Sequence, residues 1–111
     1  MENLKKETFI KKVWDFETNK EWKFEGQRPC VIDFYADWCN PCRQLTPILE
    51  RLSKEDLGID IYKVNVDDNH DASVVFGIKS IPTMIYCNEN GYEKTVGLQS
   101  AIAIKEKIKT L

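Results

Sequence analysis

The chain has too few cysteines for a disulfide-rich scaffold, a single histidine, little net charge and no long apolar run. Four cysteines in 111 residues are too few for a small secreted scaffold stapled by disulfides. A structural zinc site wants four Cys or His ligands, usually from two paired clusters. This sequence offers one cysteine pair and one histidine, His70, outside any ligand-like spacing. No metal site is expected, and His70 reads as a surface residue near a helix start. The net charge is −2, with lysines interspersed among acids, so nothing calls for a nucleic acid or an anionic membrane as partner. No apolar run approaches the roughly 18 residues of a membrane span. The opening MENLKKETF lacks the apolar core of a signal peptide. The expectation is a soluble, monomeric, cytoplasmic protein, exported only if a signal peptide precedes this start in the gene product. Repeats and low-complexity segments are absent, and the length suits a single domain, 1–111.

What is present is an ordinary globular mix, 42% hydrophobic and 31% charged. Phe9, Ile10, Val13 and Trp14 recur at helical spacing from Glu7 to Trp14. Trp22 and Phe24 follow in a polar stretch, and Trp14 and Trp22 read as core or cap residues. Gly26 to Pro29 marks a turn. Cys30 to Ala36 is short, apolar and rich in β-formers, which suits a strand buried on both faces. Leu45, Ile48, Leu49 and Leu52 give a helix from Pro41 to Lys54, with a kink expected at Pro47. Ile59 to Val66 is a second strand. Asn69 to Phe76 is a short helix ended by Gly77. Thr83 to Cys87 and Tyr92 to Val96 form an antiparallel hairpin across Asn88 to Gly91. Ser100 caps a last helix bearing Ile102, Ile104 and Ile108. A short first strand near Asn3 completes the set. The class is therefore α/β, a mixed sheet of four to five strands with helices on both faces.

One stretch carries chemistry: Asp37-Trp38-Cys39-Asn40-Pro41-Cys42. The two cysteines could be half of a metal site, a structural staple or a redox pair. Cys39 ends a strand and Cys42 lies in the first turn of a helix, so their sulfurs can meet. Unsatisfied helix N–H groups and the helix dipole favour a thiolate at the first cysteine. The thiolate is the attacking species in disulfide exchange. Pro41 is tolerated at the helix start because its missing N–H was an orphan there. A disulfide closing so small a loop would constrain the unfolded chain little. The redox reading is favoured.

Two further features agree with it. Asp33 interrupts the apolar strand, and a carboxyl buried there should have a raised pKa. It could take the proton of Cys42 and return it. Lys63, on the neighbouring strand, could reach Asp33 and modulate it. Then Ser80-Ile81-Pro82-Thr83 opens a strand on a proline. If that peptide bond is cis, Ile81 presents its backbone sideways for a bound chain to pair with.

Together, Asp33 to Cys42, Pro47, Lys63 to Asp67, Phe76-Gly77-Ile78, Ile81-Pro82-Thr83 and Val96-Gly97 fall in the order and spacing of a thioredoxin. The sequence resembles that family strongly over residues 29–111, while residues 1–28 match only as a generic N-terminal helical region. The resemblance implies a thioredoxin fold and a protein disulfide reductase. It implies that Cys39 is the exposed nucleophile, Cys42 the buried resolving thiol and Asp33 the proton carrier. It places Trp38 beside the active site, makes Pro82 cis, and lines a substrate groove with Ile81, Pro82 and Gly97. It further implies that no cofactor is bound, that electrons come from a partner reductase, and that the substrates are disulfide-containing proteins.

The departure is Asn40, where thioredoxins usually carry glycine before Pro41. Asn40 is expected to donate a hydrogen bond to the Cys39 sulfur or to cap the helix, and so to shift the potential modestly. On the same topology strand 83–87 runs back beside strand 30–36 and brings Cys87 near Cys30. These are read as two small buried hydrophobes, with an auxiliary thiol pair as the sharper alternative. For the whole protein the alternatives are an isomerase, oxidase or dedicated reductase of an oxidising compartment, or a non-catalytic binding module.

Overall fold

Residues Met1–Leu111 are all described by a computed structural model. Five strands form one mixed sheet in the order β1-β3-β2-β4-β5. They are β1 (Glu2–Asn3), β2 (Cys30–Tyr35), β3 (Asp60–Asn65), β4 (Thr83–Asn88) and β5 (Gly91–Val96). β1 and β2 each pair parallel with β3, while β4 runs antiparallel to both β2 and β5. The helices are α1 (Lys6–Lys12), α2 (Asn40–Ser53), α3 (His70–Val75) and α4 (Ala101–Ile108).

β2 is the central strand, and all its residues are buried. Its side chains alternate between two cores. Ile32 and Phe34 point to the α1/α3 side with Phe9, Val13, Val64 and Phe76. Val31 points to the α2/α4 side with Leu45, Leu49, Met84 and Ile104. This two-sided burial explains why β2 reads as a continuous apolar run with one interruption, Asp33.

α2 is continuous through Pro47, although the missing proline N–H leaves the Arg43 carbonyl without its usual partner. α3 and α4 are capped by the side chains of Asn69 and Ser100. The hairpin is tighter than the four-residue link expected, because Asn88 and Gly91 already pair. The Asn88 side chain accepts from the Asn90 N–H at 2.9 Å and supplies the turn itself.

Residues 13–29 gain definition from aromatic packing that periodicity does not reveal. Trp14, Trp22, Phe24, Phe76 and Tyr92 form a run of ring contacts, among them Trp22–Tyr92 at 5.0 Å and Phe76–Tyr92 at 4.8 Å. Trp22 Nε1 donates to the Asn88 carbonyl at 2.9 Å and ties this segment to the hairpin.

Candidate active site

β2 ends at Tyr35, and the chain turns through Ala36 to Trp38 into α2. Cys39 occupies the N-cap of α2 with extended backbone (φ −91°, ψ 111°). Its Sγ accepts the Cys42 backbone N–H at 3.2 Å, the bond a serine or aspartate oxygen makes in an ordinary cap. Asn40 and Pro41 form the exposed start of the helix, and Cys42 follows one step later. The Cys39 and Cys42 sulfurs are joined in a disulfide, with their Cα atoms 5.2 Å apart.

With the disulfide closed, two placements differ from expectation. Cys39 is not an exposed residue: it is 5% accessible, against 1% for Cys42. Tyr35, Ala36, Val66 and Ile81 pack around it, and its Sγ lies 3.7 Å from the Ile81 carbonyl oxygen. Asn40 neither caps the helix nor bonds the sulfur. The cap is Cys39 itself, and Asn40 projects outward from the first helical position.

The Ile81–Pro82 bond is cis, and the Pro82 carbonyl accepts the Gly97 N–H at 2.8 Å. Ile81, Pro82 and Gly97 thus meet beside the disulfide, with Pro82 itself buried and Ile81 and Gly97 half-buried. Trp38 is 70% exposed but not loose: its Nε1 donates to the Asp67 carboxylate at 3.0 Å. Asp67 is steadied by its own N–H, which donates to Asn65 Oδ1 at 2.9 Å. Between Trp38 and α3 runs a groove of about 310 Å³, lined by Trp38, Asp67, His70, Val74 and Ile81 among others. His70 is exposed, as expected, yet it borders this groove. A second cavity of about 330 Å³ lies at the other end of the sheet, around Phe24, Arg28 and Asn88, and no redox residue lines it.

Asp33 is fully buried, and neither carboxylate oxygen has a hydrogen-bond partner. Burial pushes its pKa from the ordinary 3.8 up to about 7, with Lys63 pulling the other way. Lys63 is its cross-strand partner and is half-buried. Sequence reasoning missed three neighbours: Tyr35, whose ring lies under the Lys63 ammonium, Thr46, which bonds it, and Asp67. Tyr35 and Asp67 lie within matched motifs, but position alone gives none of the three a role, since each acts through a contact between distant segments.

Cys30 and Cys87 are direct cross-strand partners, both free and buried. Burial pushes the Cys87 thiol well up, and its hydrogen bond with Cys30 adds to this.

A disulfide at a helix N-terminus, with a cis-proline edge and a groove beside it, is the working centre of a thiol–disulfide oxidoreductase built on the thioredoxin fold. The comparisons agree. The thioredoxin family model matches residues 4–110. A thioredoxin from Borreliella burgdorferi is 44% identical over 109 residues, covering 96% of this chain and 93% of that protein. A mutant thioredoxin from Halobacterium salinarum superposes with TM-score 0.78 at 28% identity, covering 98% of this chain and 88% of that one. A chloroplastic thioredoxin z shares the fold with TM-score 0.80, covering 99% and 92%. The chain belongs to the thioredoxin family.

Proposed function

We propose that this thioredoxin is a reductant of disulfides in other proteins. The observation that carries the reading is the N–H of Cys42 aimed at Cys39 Sγ. In the reduced protein that donor and the helix dipole favour a thiolate at Cys39. The Cys39 thiolate attacks one sulfur of the substrate disulfide. A mixed disulfide forms and the other substrate sulfur leaves as a thiolate. Asp33 takes the proton of Cys42, and the Cys42 thiolate attacks Cys39 Sγ. The Cys39–Cys42 disulfide closes, the second substrate thiolate departs, and two electrons have passed to the substrate. A partner reductase returns the pair to the dithiol, with no cofactor bound to this chain.

Trp38, Asn40, Pro41, Ile81, Pro82 and Gly97 form the surface that receives the substrate segment. Ile81 is the backbone against which it pairs, and Trp38 is one wall of the groove. Lys63 modulates Asp33. No helix is long and apolar enough to cross a membrane, and a cytoplasmic setting is the one in which a reductant of this kind stays reduced.

The test is a pair of variants in an insulin-reduction assay with dithiothreitol. Wild type should accelerate precipitation of the insulin chains. Cys39→Ser should lose the acceleration completely, and Cys42→Ser should accumulate a mixed disulfide visible by mass spectrometry. No acceleration by wild type would favour a binding module instead.

A further inference from the structure

Lys63 does not go where charge alone would send it. Asp33 is its Cα partner in the parallel β2–β3 ladder. Both side chains lie on the α2 face, because Val31 and Ile61, two residues before each, belong to the core under α2. Yet both Asp33 oxygens are without a hydrogen bond. The ammonium instead sits 4.1 Å from the centroid of the Tyr35 ring and donates to Thr46 Oγ1 at 3.4 Å.

Each of these two partners is itself fixed. The Thr46 hydroxyl donates to the Cys42 carbonyl at 3.2 Å, which turns its lone pairs toward Lys63. The Tyr35 ring packs with Ala36, Cys39 and Cys42, and its phenol oxygen accepts from the Asn3 side-chain amide. Strand β1, helix α2 and the end of β2 therefore converge on one ammonium group.

We propose that Tyr35 and Thr46 are positioning residues for proton transfer at the Cys39–Cys42 pair, holding the Lys63 ammonium off the Asp33 carboxyl. This rests on the reading of Asp33 as the proton carrier. A direct ion pair would stabilise the carboxylate and keep it ionised, so that it could not hold a proton near neutral pH. The ring face and the hydroxyl give a half-buried ammonium an alternative that costs it less than burial beside Asp33. No other charge competes. β4 presents Met84 at the paired position, the buried face of α2 presents Cys42, Leu45 and Leu49, and that of α4 presents Ile104 and Ile108. Lys63 is the charged group that bears on Asp33.

The experiment is a titration of the Asp33 carboxyl carbon by NMR in the oxidised protein. In the Tyr35→Leu/Thr46→Val variant the freed ammonium swings to Asp33, and the midpoint falls by about one pH unit. Thr46→Val alone, which keeps the side-chain volume at a half-buried site, lowers it by less and decides the matter if the double variant does not fold. Tyr35→Phe keeps the ring and leaves the midpoint in place. In a Lys63→Met background neither Tyr35→Leu nor Thr46→Val moves it. A midpoint that stays or rises in both Thr46→Val and the Tyr35→Leu/Thr46→Val variant, that moves in Tyr35→Phe, or that falls equally without Lys63, overturns the placement. The pH profile of mixed-disulfide resolution in Asp33→Asn reads the parent reaction separately. Loss of the inflection near neutral pH supports Asp33 as proton carrier. An unchanged profile removes that role, and with it the functional half of the proposal, while the NMR midpoint still judges where Lys63 sits.

Discussion

Asp33 and Lys63 are paired in register across β2 and β3, yet Asp33 is left without a single hydrogen bond in a fully buried site. The arrangement costs stability whenever Asp33 is ionised, because desolvation penalises the charged form.

That cost has a pH signature. The folded pKa of about 7 lies above the ordinary 3.8, so between these values the folded state holds a proton that the unfolded state has lost. Asp33's contribution is fully favourable below about 3.8, is eroded as pH rises and reaches its full penalty above about 7. The raised pKa corresponds to about 4 kcal/mol at alkaline pH. Asp33→Asn should therefore stabilise the oxidised protein by several kcal/mol at pH 8 and by almost nothing at pH 3. Urea denaturation at both values measures this. Equal effects at the two would show that Asp33 is not held against its charge.

Gly97 adopts φ +92° where its N–H reaches the Pro82 carbonyl. A Cβ there would meet no atom within 4 Å, so the backbone alone resists substitution. Gly97→Ala should cost about 1–2 kcal/mol. A denaturation midpoint equal to wild type would mean that the turn relaxes freely.

Cys30 and Cys87 are both at most 1% accessible, and burial keeps the Cys87 thiol protonated. Neither is a competent nucleophile in the folded protein. Ellman titration of the oxidised native protein should find no fast-reacting thiol, and two after denaturation. Rapid reaction of either under native conditions would revive the idea of an auxiliary redox pair.

Asn40 bonds nothing at the sulfur and leaves the cap to Cys39. A hydrogen bond worth about 1 kcal/mol would move a two-electron potential by about 20 mV. Asn40→Gly should shift it by less than that. A larger shift would mean that Asn40 finds the Cys39 sulfur in the reduced protein.

Much of this architecture is legible in the sequence because the sheet is central and covered on both sides. β2 announces itself as an apolar run, and Asp33 is conspicuous as the one charge within it. The cysteines could be assigned to a helix start from Pro41 and the periodicity of Leu45, Leu49 and Leu52. The hidden parts depend on contacts between remote segments. The aromatic packing of Trp22 on Tyr92 follows no period, since residues 13–29 are irregular. The cage around Lys63 joins Asn3, Tyr35 and Thr46 from three elements. The shielding of Cys39 comes from Ile81, and a position in the motif says nothing about what the cis-proline loop lays across it.

The most direct test of this thioredoxin as a protein reductant is the reduction potential of the Cys39–Cys42 pair, by equilibration against a glutathione or dithiothreitol buffer. A general protein reductant should give a value near the thioredoxin figure of about −270 mV. A value of about −180 to −120 mV would instead make the pair an isomerase or oxidant centre and contradict the proposed direction of electron flow.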